Sequence, residues 1–407
     1  MTTDRRTLLK AAAAAPLAGA LPWSGAARAQ GAANTIKIGV LTDMSGTYRD
    51  IAGPTSVACV RQAVQDFGGR GGLNVEVVAA DHQNKPDVGS NVARQWFDRD
   101  GVDMIVDVPT SSVGLAVAGV AREKNKAYVN STSATADLTG SACSPNTIHW
   151  TYDTWMLARS TGGAMVKAGG DSWFFVTADY AFGHALERDT SNFVRAAGGK
   201  INGQVRTPFP GTSDFSSFLV QAQASRAKVV GLANASPDTG NAIKQANEFG
   251  LTRDQKLVAF LMFVNDVHAV GLRAAQGLLL MEAFYWDMNE ETRAFSRRFG
   301  ERMGRPPSTN QAGVYSATLA YLRAVSAAGT DDAQKAVPEM KRAPIPDPLF
   351  GETVVRQDGR AVHAMHLFEV KRPEESRGPW DYYTLTQTIP GEEAFRPMAE
   401  GGCPLVR

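Results

Sequence analysis

The sequence has few of the residues that bind metal ions or form cross-links, with only three cysteines and six histidines among 407 residues. The histidines are scattered along the chain except for His363 and His366, which are three positions apart in a predicted strand. That spacing puts the two side chains on opposite faces of the strand, so we do not expect them to share a metal ion. We therefore predict neither a metal site nor a cofactor.

The motifs of several common enzymes are also missing. An enzyme is the main alternative class, because α/β folds host many hydrolases and dehydrogenases. The chain has no Gly-x-Ser-x-Gly elbow, no Gly-x-Gly-x-x-Gly at a strand end, no His-Glu-x-x-His and no Gly-x-x-x-x-Gly-Lys-Ser/Thr loop. The glycine-rich run at 68–72 follows a predicted helix and indicates a flexible turn. We predict that the protein is not an enzyme.

Long apolar runs are missing after the first thirty residues, so no later segment is expected to cross a bilayer. The chain opens with paired arginines, continues with an Ala/Leu-rich stretch at 11–21, and then reaches Ala-Arg-Ala. This order predicts a twin-arginine signal peptide over 1–29, cleaved after Ala29, and hence a periplasmic protein. A retained anchor is the alternative, but Pro16 and Pro22 interrupt the apolar stretch.

Neither sign of charge dominates, since the chain has 42 lysines and arginines and 41 aspartates and glutamates, which gives a formal net charge of +1. Removal of the signal peptide takes away four positive charges and one negative charge, which leaves a net charge of −2. A near-neutral chain without a basic tract is not expected to bind nucleic acid. Its length is sufficient for two domains with apolar cores.

The three cysteines allow one disulfide in an oxidising compartment. Cys143 and Cys403 lie in loop-like sequence, whereas Cys59 lies inside the helical run 57–67 and is expected to be a buried apolar residue. We predict a Cys143–Cys403 disulfide, which would tie the C-terminal tail to the first lobe.

The clearest structural unit runs from 104 to 139. Two short apolar runs, 104–108 and 127–130, flank a stretch with helical spacing at 113–124, and this order predicts a βαβ unit. Small hydroxyl residues follow each strand, at 110–112 and 131–135. Because the carboxyl ends of parallel strands face the ligand crevice, these clusters predict a polar cradle for a carboxylate. The alternative is that the hydroxyls only cap helices.

Alternation of strands and helices continues on both sides of this unit. Four βα repeats fill the first 140 residues, and a second series of strands and helices runs from 172 to 260. Two helices, 290–303 and 309–328, come next, followed by short extended runs that predict antiparallel strands. The predicted fold class is α/β, with two Rossmann-like lobes built on mainly parallel sheets.

Several short motifs occur in an order and spacing that resemble those of one protein family. The motifs are IKIGVL at 36–41 with a Ser-Gly turn, the 110–112 loop, SATADLT at 133–139, DYAFG at 179–183 and GTSDF at 211–215. Together they are similar to the periplasmic solute-binding proteins of ABC transporters, in the leucine/isoleucine/valine-binding family with its type I fold. The resemblance covers essentially the whole chain after the signal peptide.

The resemblance implies two lobes joined by three crossings, a ligand cleft between the lobes, and closure of the lobes on the ligand. The crossings are expected near Tyr152, Glu282 and Phe350. The implied division assigns 34–151 and 281–350 to lobe 1, 152–280 and 351–385 to lobe 2, and 386–407 to a tail that returns to lobe 1. It also implies a monomer that works with separate permease subunits and a separate ATPase.

The family pattern, carried onto this sequence, implies a set of ligand-binding residues. In lobe 1 these are Tyr48, Thr110, Ser111, Ser112, Ser133, Ala134 and Thr135. In lobe 2 they are Tyr180 or Phe182, Asn234 or Ser236, and Phe263. One aromatic residue near a crossing, Trp150, Tyr152 or Tyr285, is a further candidate for the cleft.

The ligand class is predicted from a departure from the family pattern. Amino-acid-binding relatives place an acidic residue at the end of the strand matching 256–260 or just after it, where this chain is apolar over 260–264 and its first acidic residue is Asp266. A buried ammonium group without an opposite charge is costly, so we predict a carboxylate on an apolar or aromatic body. The alternatives are a branched-chain amino acid or amide, if the register shifts toward Asp266, and a role as a ligand sensor.

Overall fold

The computed structural model describes residues 35–406, and the predicted signal peptide with its cleavage after Ala29 lies outside them. Over these residues the chain alternates strands and helices around two parallel sheets, which confirms the predicted α/β class. None of the helices in this range is both long and apolar enough to cross a membrane.

The first sheet has five parallel strands in the order β2-β1-β3-β4-β5. Its strands are β1 (Thr35–Thr42), β2 (Asn74–Asp81), β3 (Met104–Asp107), β4 (Ala127–Asn130) and β5 (Thr147–His149), and its helices are α1 (Pro54–Phe67), α2 (Pro86–Gln95) and α3 (Ser111–Lys124). The central strands β3 and β4 are buried along their whole length, which explains why their sequences are apolar without alternation up to Asp107 and Asn130 at their carboxyl ends.

The second sheet has four parallel strands in the order β7-β6-β8-β9. Its strands are β6 (Ser172–Ala178), β7 (Lys200–Thr207), β8 (Val229–Ala233) and β9 (Lys256–Ala259). The helices of this part are α4 (Thr154–Lys167), α5 (Ala181–Ala196), α6 (Ser216–Ala224), α7 (Pro237–Glu248), α8 (Val264–Val270) and α9 (Leu272–Ala275).

The remaining chain forms two small antiparallel sheets and four helices. Its elements are β10 (Leu279–Glu282), α10 (Glu290–Met303), α11 (Thr309–Ala328), α12 (Ala333–Lys341), β11 (Ile345–Asp347), β12 (Gly351–Val355), β13 (Ala361–Val362), β14 (Met365–Val370), β15 (Tyr383–Ile389) and α13 (Gly391–Ala394). One sheet has the order β10-β14-β15 and the other β11-β12-β13. Helices α10 and α11 pack on α1 of the first sheet, and Arg298 of α10 pairs with Asp66 of α1 at 2.6 Å.

The segment from β12 to β13 belongs with the first sheet rather than with lobe 2, where we expected it. The backbone N–H of His149, at the end of β5, donates to the carbonyl oxygen of Gly359 at 2.9 Å, and His149 bridges to Arg360 in parallel. The third crossing therefore falls at His363 and Ala364, between β13 and β14. Phe350, the expected crossing residue, lies between β11 and β12 on the first-sheet side.

We accordingly propose a revised division of the described chain. Lobe 1 comprises 35–151, 283–362 and the tail from 391, and lobe 2 comprises 152–282 and 365–389. The tail lies on lobe 1 because the structure joins Cys143 to Cys403, with their Cα atoms 5.6 Å apart, and Arg396 donates to the carbonyl oxygen of Ala136 at 3.0 Å. Cys59 is buried and free.

The first and third crossings are held together by buried polar contacts. The Arg360 guanidinium donates to the carbonyl oxygen of Thr151 at 2.7 Å and pairs with the Asp153 carboxylate at 3.3 Å. The imidazole of His363 lies 3.0 Å from the carbonyl oxygen of Trp150. Burial lowers the pKa of His363 to about 4, so this imidazole is neutral at physiological pH.

Candidate functional site

A small cavity lies where the carboxyl ends of the two parallel sheets meet. Lobe 1 lines it with Tyr48, Ile51, Pro109, Ser111, Thr132 and Ala134. Lobe 2 and the first crossing line it with Tyr152, Tyr180, Phe182, Ala235 and Leu261. The lining thus joins aromatic and aliphatic side chains with a few hydroxyl groups, as is typical of small-molecule sites.

Three aromatic residues close the cavity by direct contact between the lobes. The ring of Phe209, in the loop after β7, stacks on Tyr180 with centroids 3.9 Å apart and on Tyr48 of lobe 1 at 5.6 Å. The hydroxyl groups of Tyr48 and Tyr180 also hydrogen-bond to each other across the cleft. The space left between the lining side chains is about 10 Å³, close to the room one water requires. The structure therefore shows the closed arrangement of the lobes.

Ser111 is placed at the cavity by the turn between β3 and α3. Asp107 and Val108 have positive φ angles of 83° and 59°, which are unusual for residues with a side chain and turn the backbone sharply at the strand end. Ser111 then opens α3, and its Oγ accepts hydrogen bonds from the backbone N–H groups of Ala134 and Thr135, both at 3.2 Å. One hydroxyl group and two amides thus converge at the N-terminus of a helix.

Thr132 and Ala134 also line the cavity, but the other residues predicted from the two hydroxyl clusters lie outside the lining, and several of them stabilise the loops. Thr110 donates to Asn84 Oδ1, and Asn84 donates in turn to Asp43 at 2.7 Å. Ser133 donates to the carbonyl oxygen of Val108. The Oγ1 of Thr135 accepts from the Asp137 amide at 3.4 Å, and Ser112 is half-buried outside the cavity lining.

The remaining predicted lobe 2 residues divide in the same way. Tyr180 and Phe182 line the cavity. Asn234 accepts a hydrogen bond from Thr239 at 2.7 Å and lies outside the lining, whereas its neighbour Ala235 is part of it. Phe263 lies behind the lining, with its ring 5.5 Å from that of Tyr152.

Tyr152 has a larger role than its predicted place at a crossing. Its side chain lines the cavity, and its hydroxyl group lies 2.7 Å from Asn310 Oδ1 and 3.0 Å from the carbonyl oxygen of Thr132. Tyr152 therefore connects α11, the loop after β4 and the cavity. Glu282, the second expected crossing residue, is buried at the end of β10 and accepts a hydrogen bond from Thr309 at 2.9 Å.

The acidic residues around the cleft lie outside the cavity lining. Asp266 accepts a hydrogen bond from the Phe263 amide at 2.9 Å and thereby caps α8. Asp238 lies in the first turn of α7; burial is the main cause that raises the pKa values of Tyr48 and Tyr180, and the charge of Asp238 adds to it. Burial raises the pKa of both Asp238 and Asp266 to about 7. Both carboxyl groups are therefore partly protonated near neutral pH.

Comparisons with a family model and with solved structures point to the same protein family. Residues 35–378 match the family model described as periplasmic binding protein. A periplasmic binding protein from Burkholderia mallei is 48% identical, with 92% of this chain and 100% of that chain covered and a TM-score of 0.89. A branched-chain amino acid ABC transporter periplasmic ligand-binding protein from Burkholderia xenovorans LB400 is 40% identical, with 91% and 99% covered and a TM-score of 0.79.

More distant structures share the same fold. A solute-binding protein of an ABC transporter from R. palustris, solved in complex with benzoate, is 22% identical, with 91% of this chain and 99% of that chain covered and a TM-score of 0.78. A search among curated proteins gives no match.

The protein belongs to the periplasmic binding protein family of ABC transporters, as the match over most of the chain and the two-sheet fold with its inter-lobe cavity show. Members of this family bind small molecules and work with membrane permeases, and they are binding proteins rather than enzymes.

Proposed function

We propose that this protein captures a small aromatic carboxylate in the cavity between its lobes and delivers it to the permease of an ABC importer. The single observation that carries the proposal is the composition of the cavity lining, where aromatic residues from both lobes line the same cavity as Ser111, whose hydroxyl group contacts the amides after β4.

The carboxylate of the ligand would bind at the lobe 1 side. The Ser111 hydroxyl group can donate to an anion, and the Ala134 and Thr135 amides that it now accepts from are two further donors. Ser111 is also the first residue of α3, where the helix dipole favours negative charge. A carboxylate in this place would replace contacts within the loop with charge-assisted hydrogen bonds.

The body of the ligand would lie among the aromatic side chains. Phe182 and Leu261 give the lobe 2 side an apolar surface, and Tyr48, Tyr180 and Phe209 form a stack that can open to admit a ring. Aromatic contacts of this kind contribute about 0.5–1.5 kcal/mol per pair beyond the burial of apolar area. Because the stack spans both lobes, a ring held within it would stabilise the closed form.

The lining also disfavours a ligand with an ammonium group. Shortly after β9, where the family resemblance implies an acidic residue in amino-acid-binding proteins, the apolar Leu261 lines the cavity, and Asp266 caps α8. An ammonium group in this cavity would lose its hydration without gaining an opposite charge from the lining.

A branched-chain amino acid is the second candidate, and two observations favour it. The 40% identical B. xenovorans protein is described as a branched-chain amino acid binding protein. Asp238 is also close enough to the hydroxyl groups of Tyr48 and Tyr180 to affect their pKa values, so a small shift of α7 could bring its carboxylate toward an ammonium group.

Isothermal titration calorimetry of ligand-stripped protein separates the two candidates. Benzoate, 4-hydroxybenzoate and 3,4-dihydroxybenzoate are titrated beside leucine and valine, at equal concentration and pH. The proposal predicts heat and saturation with at least one of the aromatic acids and none with the amino acids. Saturable leucine binding without a response to any aromatic acid would favour the second candidate.

The export route is also part of the proposal. We infer that residues 1–29 are a twin-arginine signal peptide and that the protein acts as a monomer in the periplasm. N-terminal sequencing of protein from the periplasmic fraction should begin at Gln30, and light scattering should give the mass of a single chain. Residence in the cytoplasm with an intact N-terminus would contradict the first inference.

A further inference from the structure

A second pocket lies away from the inter-lobe cavity, between α10 and the segment that precedes β15. Its volume is about 530 Å³, within the range of about 300–1,000 Å³ that small-molecule sites occupy. Trp286 and Trp380 line it, together with the surface of α10 at Gly300. We call it the tryptophan pocket.

The aromatic walls of the tryptophan pocket are held rigidly. Trp380 has a φ of 73°, an uncommon backbone conformation for a residue with a side chain, and its ring stacks on His268 with centroids 4.0 Å apart and an interplanar angle of 10°. Its carbonyl oxygen accepts hydrogen bonds from Trp286 Nε1 at 2.8 Å and from the Tyr285 hydroxyl group at 2.7 Å. In the division proposed above Trp286 belongs to lobe 1 and Trp380 to lobe 2, so their hydrogen bond fixes the two indole side chains relative to each other while the lobes are closed.

The charged side chains that line the pocket are all basic. Among the described residues that line it, Arg293, Arg297 and Arg305 are charged and none is acidic. Arg293 and Arg297 pair with Glu290 at 3.2 Å and 2.9 Å through side chains that are 38–67% exposed, and exposed pairs contribute about 0–1 kcal/mol. Arg293 also pairs at 3.2 Å with Asp287, which is only 18% exposed, and Arg305 donates to the carbonyl oxygen of Asp50 at 2.7 Å. An anionic ligand could therefore compete at small cost for the guanidinium group of Arg297, whose ion pair is exposed.

We propose that the tryptophan pocket binds a planar aromatic anion larger than a single benzene ring, at a site separate from the inter-lobe cavity. Indole faces stack on flat rings, and arginine side chains supply paired N–H donors for a carboxylate or sulfonate. The volume of the pocket accommodates a bicyclic ring system, whereas the closed inter-lobe cavity is far smaller.

Gly300 gives a selective way to block the pocket. A Cβ atom built at Gly300 comes no closer than 3.7 Å to any other atom, and glycine inside a helix costs roughly 1 kcal/mol relative to residues such as leucine. Gly300→Leu should therefore fold well and fill the space between α10 and Trp380. Gly119→Leu is the matched control, because Gly119 is an exposed glycine of α3 with nothing within 4 Å of its Cβ position.

The experiment follows tryptophan fluorescence and calorimetric heat during titration with 2-naphthoate, and repeats the titration with uncharged 2-naphthol. The proposal predicts saturable quenching by 2-naphthoate, weaker binding of 2-naphthol, and an affinity lowered about tenfold or more in Gly300→Leu but unchanged in Gly119→Leu. Added salt should weaken 2-naphthoate binding, since exposed arginine charges are screened.

Two results would overturn the proposal. One is no saturable binding of 2-naphthoate at millimolar concentration, and the other is binding that Gly300→Leu leaves unchanged. The test uses a probe and a blocking variant distinct from those that test the inter-lobe cavity, so the two proposals can fail separately. Ser111→Ala alters the inter-lobe cavity and should not change the affinity for 2-naphthoate, so a loss in Ser111→Ala alone would place the probe in that cavity and count against the tryptophan pocket.

Discussion

Phe209 holds the two lobes together in the closed form, and its removal should open the cleft. Phe209 makes two ring contacts, one with Tyr180 of its own lobe and one with Tyr48 of lobe 1. Only the contact with Tyr48, at 5.6 Å, crosses between the lobes directly, while the contact with Tyr180 positions the hydroxyl group that bonds to Tyr48. Phe209→Ala therefore removes one cross-lobe contact and loosens a second.

The size of the effect follows from the usual strength of such contacts. An aromatic pair contributes about 0.5–1.5 kcal/mol, and a neutral hydrogen bond contributes a similar amount. Loss of the first and weakening of the second should cost the closed form about 1–2 kcal/mol, so that its population relative to the open form falls roughly 5- to 30-fold. Phe209 is half-buried in a loop, so the fold itself should remain intact.

Small-angle X-ray scattering measures the result. We expect a larger radius of gyration for ligand-free Phe209→Ala than for the unaltered protein, and a return toward the smaller value at saturating ligand. Phe249→Ala is the matched control, because Phe249 is an aromatic residue of lobe 2 that is 50% exposed and outside the cavity. Indistinguishable scattering from the two variants and the unaltered protein would refute the role assigned to Phe209.

Three further predictions concern single groups. Ser111→Ala should weaken aromatic acid binding roughly ten- to a hundredfold, since a hydrogen bond to a charged group contributes about 1.5–3 kcal/mol, whereas Ser112→Ala should leave the calorimetric affinity unchanged. Burial raises the pKa of Glu282 to about 8 in the folded protein, above its value in the unfolded chain, so the free energy of unfolding should fall as pH rises toward and through 8. Glu282→Gln should reduce the change in Tm between pH 5 and pH 9. An unaltered dependence of Tm on pH would contradict this. Replacement of both Cys143 and Cys403 by serine should lower the free energy of unfolding by about 2–5 kcal/mol, because the disulfide closes a loop of 260 residues, and an unchanged Tm would contradict this.

The fold and part of the site could be predicted because they follow from local sequence patterns. The βαβ unit at 104–139 has buried strands and a helix of regular spacing, and the geometry of parallel sheets then puts Ser111 at the crevice. The local sequence pattern does not determine the direction in which an individual side chain points. Thr110 and Ser133 also carry hydroxyl groups shortly after a strand, but these hydroxyl groups bond to neighbouring loops.

The parts that could not be predicted depend on contacts between distant segments. Phe209 lies in a connecting loop without periodicity, and nothing in its neighbourhood indicates that its ring reaches Tyr48 of the other lobe. The third crossing was wrongly expected at Phe350, because a short extended run does not show which sheet it will join. His149 and Gly359 pair over a separation of more than 200 residues, and only that pairing moves the crossing to His363.

The central claim is that the inter-lobe cavity binds an aromatic carboxylate, and a crystal structure of the protein grown with 4-hydroxybenzoate tests it most directly. Our account predicts the carboxylate within hydrogen-bond distance of Ser111 Oγ and the Ala134 amide, with the ring between Tyr48 and Phe182. A structure with leucine retained in the cavity and its ammonium group paired with Asp238, or with 4-hydroxybenzoate bound only outside the cavity, would contradict the claim.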